Sequence, residues 1–371
     1  MAEPPAGAAA AIFGCAGPAL SAAERAFFRE SVPFGFILFA RNVESPEQLS
    51  RLTAELREAA GWPAPILIDQ EGGRVARLRP PHLRGWPPVG AWTDAADDGA
   101  LSEAALLEAL RLRHRVIAHE LAAVGIDVDC APLLDVRRRE AHAIIGDRAL
   151  GRSAEAVARR ARAACAGLRG GGVAPVIKHV PGHGRALVDS HAALPVVDAP
   201  LEELDAVDFA PFAALRDEAM AMTAHVVYAA LDPERCATLS PRVVEETIRG
   251  RIGFDGLLMT DDLSMGALET GALETGALDA GAGAAAAPAR FAARAAAALA
   301  AGCDVILHCN GAMDEMKGVA AGAGALTPAA ARRGAAALAI RAAGDAEGFD
   351  PAEAEARLAA ALGPVSGGGD G

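Results

Sequence analysis

The sequence has no surplus of basic residues. Its 371 residues hold 35 Lys and Arg against 48 Asp and Glu, a formal net charge of −13 with histidine neutral. Nucleic acids and anionic membranes attract proteins through a basic face, so we expect neither to be the main partner of this chain. Hydrophobic residues make up 52% of the chain, which is enough to bury a large core.

The sequence also lacks a Cys-x-x-Cys motif, a basic segment among its first residues and an apolar run long enough to span a membrane. Its six cysteines form no Cys-x-x-Cys pair, and most lie in apolar runs, as reduced core thiols do. The first residues carry no basic segment of the kind that begins a signal peptide. Arg290 and Arg294 interrupt the alanine-rich segment that follows Gly281, so it falls short of a membrane span. We therefore expect a cytoplasmic protein with reduced thiols.

Short apolar runs alternate with longer helical segments, and this pattern predicts an α/β fold with parallel strands. Eight such alternations over this length fit a (β/α)8 TIM-type barrel better than an open sheet. The predicted strands are Ala10–Cys15, Phe34–Phe39, Ile66–Asp69, Ile126–Ala131, Val173–Lys178, Ala221–His225, Leu257–Thr260 and Val305–Cys309. The predicted helices are Ala22–Glu30, Pro46–Ala60, Ser102–Val124, Ala154–Arg169, Leu204–Glu218, Pro241–Arg249, Ala287–Ala301 and Pro328–Ala343.

We expect one domain with a short extension. Residues 1–345 form the predicted barrel, and residues 346–371 add the helix Pro351–Leu362 and a glycine-rich tail that we expect to be disordered. A five-residue unit, Gly266–Thr270, recurs as Gly271–Thr275 and, altered, as Gly276–Ala280. A period of five belongs to no solenoid class, so we interpret the repeat as a slippage-derived loop insertion without chemistry of its own.

Polar residues stand where the predicted strands end. In a barrel these ends converge on one face, where active sites lie, so together they predict a polar pocket. The residues concerned are Arg41-Asn42, Asp69 to Arg74, Asp135, Lys178-His179, His225, Asp261-Asp262 and Asn310.

The densest group of polar residues is Lys178–Gly184 with Asp189-Ser190-His191, which we expect to begin an irregular loop after a buried strand. His179 and His183 have the i, i+4 spacing of helical zinc sites. Pro181 and Gly182 between them rule out that helix, and the motif holds no glutamate to serve as a base. We therefore predict neither a metal nor a cofactor.

The predicted pocket contains carboxylates and cations but none of three common catalytic signatures. The sequence has no Gly-x-Ser-x-Gly elbow, no P-loop and no Gly-x-Gly-x-x-Gly. Carboxylates accept hydrogen bonds from hydroxyl pairs, and Arg and Lys donate to hydroxyls, so a sugar suits this inventory. Composition alone leaves open whether the protein hydrolyses the sugar or only binds it. The groups concerned are Asp69, Asp135, Asp261, Arg77 and Lys178.

Several motifs, in the same order along the chain, resemble family 3 glycoside hydrolases. The stretch Lys178–Gly184 with Asp189–His191 is similar to the signature of the family's single-domain bacterial β-N-acetylglucosaminidase branch, and the match runs from about Phe34 to Asn310. Three positions depart from the pattern: Val180 stands where an aromatic is usual, and Ala149-Leu150 replaces a Ser-Phe pair. The other matching motifs are Asp69–Val75, Ile145–Arg148, Met222–His225, Met259–Met265 and Cys309-Asn310.

The resemblance implies a role for each matching polar residue. The nucleophile falls on Asp261 and the acid/base on His191, oriented by Asp189. Apart from the resemblance, we interpret Asp262 as a helix-capping residue at the end of the strand. A histidine near its usual pKa of about 6.5 can both donate and accept a proton near neutral pH. The implied sugar contacts are Asp69, Arg77, Arg148, Lys178 and His179.

The resemblance also implies an activity. We expect a retaining enzyme, without cofactor and monomeric, that removes terminal non-reducing β-linked N-acetylglucosamine from cell-wall fragments such as GlcNAc–anhydro-MurNAc peptides in the cytoplasm. Two alternatives within the family are a phosphorylase, since a neutral histidine repels phosphate less than a carboxylate does, and a broad β-glucosidase. An alternative of another class is a catalytically silent sugar-binding protein.

Overall fold

The computed structural model describes residues 3–81, 84–138, 143–268, 287–344 and 348–363. Its centre is a closed barrel of eight parallel strands, each paired with the next along the chain, and β8 with β1. This confirms the predicted α/β (β/α)8 architecture. The strands are β1 (Ala9–Gly14), β2 (Pro33–Leu38), β3 (Ile66–Ile68), β4 (Val128–Asp129), β5 (Ala174–Val180), β6 (Met220–Thr223), β7 (Leu257–Asp262) and β8 (Val305–His308).

The barrel strands are continuous apolar runs because helices and barrel core cover both of their faces. Every residue of β1, β2, β3 and β8 is buried. Pairing is in simple register over most of the barrel, for example Phe13 opposite His308 and Ile37 opposite Leu67. The register shifts in β5 between Lys178 and Val180, at the end of the strand that carries the histidine-rich motif.

Helices surround the barrel. Ser21 caps the first of them through a reciprocal pair with Glu24, in which each side chain accepts the other's backbone N–H. The α-helices are Ala22–Ser31, Pro46–Ala60, Gly90–Asp97, Glu103–Ala123, Ala154–Gly170, Leu201–Glu203, Ala210–Ala214, Ala287–Ala300, Met313–Ala323, Pro328–Leu338, Ile340–Ala343 and Pro351–Leu362. Wider π-type turns span Leu204–Phe209 and Val243–Arg251, and 3-10 turns span Ala40–Asn42, Gly146–Arg148, Ala237–Leu239 and Gly266–Leu268.

Two boundaries in particular differ from the prediction. Strand β5 continues through Lys178 and His179 to Val180, so the irregular loop begins only at Pro181. The helix predicted over 204–218 ends at Ala214, after a π-type turn just before Pro211. Proline offers no N–H to an i−4 carbonyl, and a wider turn accommodates that gap.

Small elements outside the barrel escaped prediction. Gln70–Gly72 pairs antiparallel with Val75–Ala76, and Val196–Val197 pairs parallel with Val227–Tyr228. Both pairs are too short to show a hydrophobic period in the sequence. The hairpin at 70–76 follows β3 directly, and it carries charged side chains to the C-terminal end of the barrel.

The C-terminal helix Pro351–Leu362 is present as predicted and packs on Glu103–Ala123. Leu358 and Leu362 are buried there, and Arg357 pairs with Glu108 at 2.7 Å. The expected domain boundary after residue 345, most of the five-residue repeat and the tail from residue 364 lie outside the described residues, and the division into barrel and extension stays a prediction.

Two expectations drawn from composition can be compared with the structure. All six cysteines are free thiols, five of them buried and Cys309 half-buried, as expected for reduced core residues. Within the described ranges, no helix combines the length and the apolarity needed to cross a bilayer.

Candidate active site

A cavity of about 400 Å³ opens at the C-terminal ends of the barrel strands. Seven of the eight site residues expected from the sequence line it, and the eighth, Asp189, holds one of the seven. Residues from distant parts of the chain thus meet in one pocket, as strand ends do in this fold. The polar residues that line it are Asp69, Arg74, Arg77, Arg148, Lys178, His179, His183, Ser190, His191, Asp261 and Asp262.

Asp261 and Asp262 end β7 with different partners. The Asp262 carboxylate accepts the Ser264 and Cys309 N–H groups, each at 3.1 Å, so it fixes the turn after the strand. Asp261 accepts only the neighbouring Asp262 N–H, at 2.8 Å, among the hydrogen bonds found in the described residues. The Asp261 carboxylate therefore remains available to a molecule in the pocket.

The electrostatic surroundings of Asp261 keep it ionised. Burial acts to raise the pKa of this carboxyl, but His179, His225, the Asp262 N–H and His191 outweigh it and lower the pKa below its usual value. A half-buried carboxylate that stays charged suits nucleophilic attack or stabilisation of positive charge on a substrate.

His191 and Asp189 form a hydrogen-bonded pair at the mouth of the pocket. Asp189 Oδ1 lies 2.8 Å from His191 Nδ1 and also accepts the His191 N–H at 2.9 Å. The His191 side chain is 65% exposed, and Asp189 29%. With Nδ1–H donated to Asp189, the Nε2 atom is left to face a substrate.

The loop that carries this pair is attached through main-chain atoms to the segment that follows β7. Gly266 N donates to His191 O and Ala267 N to Ser190 O, both at 3.1 Å, and both donors lie just after β7. A Cβ on Gly266 would come within 2.8 Å of His191 O, so this close approach requires glycine. On its other side the loop is held by Ser190 Oγ, 3.0 Å from His183 Nε2.

Asp69 joins two pocket cations. Its carboxylate lies 2.8 Å from Lys178 Nζ and 3.0 Å from Arg77 Nη2. Burial acts to raise the pKa of Asp69, but Lys178 and Arg77 outweigh it and hold the pKa well below the usual range. Lys178 is only 2% exposed, and burial acts to lower its pKa, yet Asp69 and Glu71 raise it above the usual value. Both groups are therefore charged at neutral pH.

Glu71 is a buried member of this network that the sequence analysis missed. Glu71 Oε1 accepts a hydrogen bond from Arg148 Nη2 at 2.7 Å, and Oε2 accepts one from Arg148 Nε at 2.8 Å. Glu71 Oε1 also lies 2.7 Å from Lys178 Nζ. The residue was part of the predicted polar rim Asp69 to Arg74 and of the motif Asp69–Val75, but no role of its own was predicted for it. The predicted sugar contacts include three cations, Arg77, Arg148 and Lys178, but only one carboxylate, Asp69. This imbalance of charge was a signal that a second carboxylate lies nearby.

Asp135 anchors the two histidines of the central motif. Asp135 Oδ2 lies 2.8 Å from His179 Nδ1, and Oδ1 accepts the His183 N–H at 2.5 Å. Burial, followed by the neighbouring His179, lowers the pKa of His183 to about 4, so His183 is neutral at neutral pH. His179 lies in β5 and His183 in the following loop, so the two residues do not share a helix.

Three residues of the predicted polar rim have structural partners instead. Asn42 is buried and donates to Cys15 O and Gly17 O at 3.1 and 2.8 Å. His225 Nε2 lies 3.0 Å from Asp262 O, and Asn310 donates to Glu315 at 2.6 Å. The interpretation of every strand-end polar residue as part of the pocket was wrong for these three, because short side chains at a strand end also satisfy neighbouring backbone and loop groups. It was also wrong for Arg41, which donates to Cys15 O at 3.0 Å, and for the fully buried Asp135, since neither lines the cavity.

No set of three or more His, Cys, Asp or Glu side chains within the described ranges has the spacing of a metal site. The pocket instead offers charged and hydrogen-bonding groups around one free carboxylate and one histidine whose Nε2 is accessible. That arrangement can bind hydroxyls, attack with an oxygen and transfer a proton.

Comparison with known proteins agrees with this chemistry. The N-terminal domain of glycosyl hydrolase family 3 matches residues 20–336. A β-hexosaminidase of Methylococcus capsulatus is 39% identical over 301 residues, which cover 81% of this chain and 82% of that protein. The β-hexosaminidase of Chromobacterium violaceum is 40% identical over 301 residues, covering 80% and 77%.

Solved structures of NagZ from Neisseria gonorrhoeae show the same fold. The native form is 33% identical with a TM-score of 0.79, covering 97% of this chain and 100% of that one. A second structure, in complex with N-trifluoroacetyl-D-glucosamine, is 32% identical with a TM-score of 0.79, covering 96% and 99%. This chain belongs to glycosyl hydrolase family 3 and is a glycoside hydrolase of the β-hexosaminidase type.

Proposed function

We propose that the protein is a retaining β-N-acetylglucosaminidase that works through a covalent glycosyl-enzyme on Asp261. The observation that carries the proposal is the contrast at the end of β7, where Asp262 is engaged by the backbone and Asp261 is ionised and free to react. A retaining glycosidase needs a carboxylate nucleophile below the anomeric carbon and a proton donor beside the leaving oxygen.

In the first step an Asp261 oxygen attacks the anomeric carbon, and the bond to the leaving oxygen breaks. His191 Nε2–H donates its proton to that oxygen, while Asp189 accepts from Nδ1–H and stabilises the ring's orientation and its charged form. In the second step the neutral histidine takes a proton from water, which attacks the anomeric carbon and releases Asp261. The residue thus serves as acid and then as base.

The sugar itself is bound by the charged and polar side chains that line the pocket. Asp69 accepts from hydroxyls, and Arg77, Arg148, Lys178 and His179 donate to them or to the acetamido oxygen. Their ion pairs, buried or partly buried, hold these groups in place before the substrate arrives. The NagZ structure that holds an N-acylated glucosamine supports a sugar of this class.

We further propose that the substrate comes from cell-wall turnover, with the GlcNAc–anhydro-MurNAc peptides as its form. The support is the resemblance to the single-domain branch of the family, together with the likeness to NagZ over nearly the whole chain. The proposal includes a cytoplasmic location, action as a monomer and no cofactor.

Turnover of nitrophenyl β-N-acetylglucosaminide tests the activity. We expect release of free N-acetylglucosamine both with and without added phosphate, because His191 activates water in the second step. Formation of N-acetylglucosamine 1-phosphate would identify a phosphorylase instead. Binding of the sugar without any turnover would identify a sugar-binding protein.

The enzyme should prefer N-acetylglucosaminides to glucosides. Pocket groups that meet the acetamido substituent are left unpaired when glucose binds, at a cost of roughly 1–3 kcal/mol for each buried group. This corresponds to a kcat/KM ratio of about ten- to a hundredfold or more. Measuring kcat/KM for the two nitrophenyl glycosides tests it, and equal values would place the chain among broad β-glucosidases.

A further inference from the structure

Glu71 joins two of the pocket's cations but does not itself line the cavity. Arg148 and Lys178 both line the cavity, and both bind Glu71, which is not among the described residues that line it. Arg148 and Glu71 form a bidentate pair with side chains 8% and 9% exposed. One buried group therefore fixes the direction of two side chains that point to the substrate.

The charge of Glu71 matters to both cations. Burial acts to raise the pKa of this carboxyl, but Arg148 and Lys178 outweigh it and lower the pKa to about 2. Glu71 is therefore ionised wherever the enzyme is folded near neutral pH. Without that charge, the Arg148 side chain keeps only the Ile144 carbonyl, at 3.0 Å, among its hydrogen-bond partners in the described residues, and Lys178 keeps only Asp69.

The backbone of Glu71 is fixed from the opposite side by a buried arginine. Arg113 Nη2 donates to Glu71 O at 2.6 Å, and Arg113 is fully buried. Its guanidinium lies 5.4 and 5.0 Å from the ring centroids of Trp86 and Trp92. Gly72 has a φ of +98°, and a Cβ there would overlap Arg113 Nη2, so only glycine lets the arginine reach this carbonyl.

We propose that Glu71 is a positioning residue of this site: it sets Arg148 and Lys178 in the geometry that binds the sugar, without touching the sugar itself. Arg113 and Gly72 extend the support by fixing the hairpin from which Glu71 projects. The proposal rests on the proposed function, because it assigns sugar contacts to the two cations.

Glu71→Gln tests it with little change in volume. The amide keeps one acceptor but turns an N–H₂ group toward a cation, so Arg148 and Lys178 lose their shared geometry. We expect kcat/KM for nitrophenyl β-N-acetylglucosaminide to fall between about 10- and 100-fold, the scale set by misplacing a contact by an ångström. Contacts to hydroxyls act in the ground and transition states alike, so the loss should appear mainly as a higher KM.

Two companion variants separate positioning from folding. Glu71→Asp keeps the charge and should recover part of the loss in KM. Glu218→Gln is the matched control, because Glu218 is also buried and paired with an arginine, Arg169, but lies before β6 at the opposite end of the barrel. It should change the melting temperature and leave KM unaltered. Calorimetric titration of free N-acetylglucosamine onto folded protein measures binding independently of turnover.

A double-mutant comparison tests whether Glu71 acts through the cations. In the Lys178→Met background, Glu71→Gln should lower kcat/KM by a factor several-fold smaller than in the wild type, because one of the two cations that Glu71 positions has been removed. Equal costs in both backgrounds, or an unchanged KM in a folded Glu71→Gln protein, would overturn the proposal. A wild type that fails to cleave the glycoside would overturn the proposed function instead.

Discussion

Asp261→Asn should abolish turnover while the protein stays folded. The amide keeps the volume and can keep the hydrogen bond from the Asp262 N–H, but it is a poor nucleophile and carries no charge for the oxocarbenium-like transition state. We expect kcat to fall by at least about 1,000-fold, as when other enzymes lose their nucleophile. Steady-state kinetics and the melting temperature of the same preparation measure the two effects together.

A slow fluorosugar substrate adds a direct observation of the intermediate. The wild type should gain one sugar mass on the peptide that holds Asp261, and Asp261→Asn should gain none. The neighbouring Asp262→Asn is the matched control: it should lower the melting temperature, because Asp262 fixes Ser264 and Cys309, but it should still be labelled. Label on any other residue, or a kcat near that of the wild type in Asp261→Asn, would refute the assignment.

Loss of His191 should produce an effect that depends on the leaving group. A nitrophenolate leaves with little protonation, whereas a sugar alkoxide needs a proton in the transition state. His191→Ala should therefore slow hydrolysis of a GlcNAc disaccharide by about 100- to 10,000-fold, and slow the nitrophenyl glycoside much less. Comparing kcat/KM for the two substrates gives the measurement.

Asp189→Asn tests whether the pair acts as a unit. Asp189 holds His191 Nδ1, so its loss should reproduce most of the His191 effect, and the double variant should be little slower than the poorer single one. His119→Ala is a suitable control, since His119 is an exposed histidine on Glu103–Ala123 that packs on Phe349, outside the residues that line the pocket. Equal slowing of both substrates by His191→Ala would show that His191 is not the acid.

The barrel could be predicted from sequence because each strand is a short apolar run with polar residues at its end. The strand ends also located Asp261 and Lys178 in one pocket before any contact was known. Strand β4 is shorter than predicted, Val128–Asp129, although Asp127 N and Cys130 N still donate to β3 carbonyls at 3.1 and 2.7 Å. Such boundaries depend on pairing geometry, which a hydrophobic pattern does not contain.

The support behind the site could not be predicted in the same way. Glu71 pairs with Arg148, which lies 77 residues further along the sequence, and Arg113, which donates to Glu71 O, lies 42 residues from it. A buried arginine in a helix resembles any other long polar residue until the packing of Trp86 and Trp92 around it is known. Residues that bind a sugar directly can be recognised from a sequence motif. The residues that hold them in place depend on how distant parts of the chain pack together.

The main-chain bonds from Gly266 and Ala267 to the His191 loop give the five-residue repeat a different significance. Replication slippage adds or removes whole units, and each of the three copies begins with Gly-Ala-Leu. Whatever the copy number, positions 266 to 268 therefore keep the same three residues, including the glycine that His191 O requires. A change in the number of copies would thus leave unaltered the residues after β7 on which the loop that carries His191 rests.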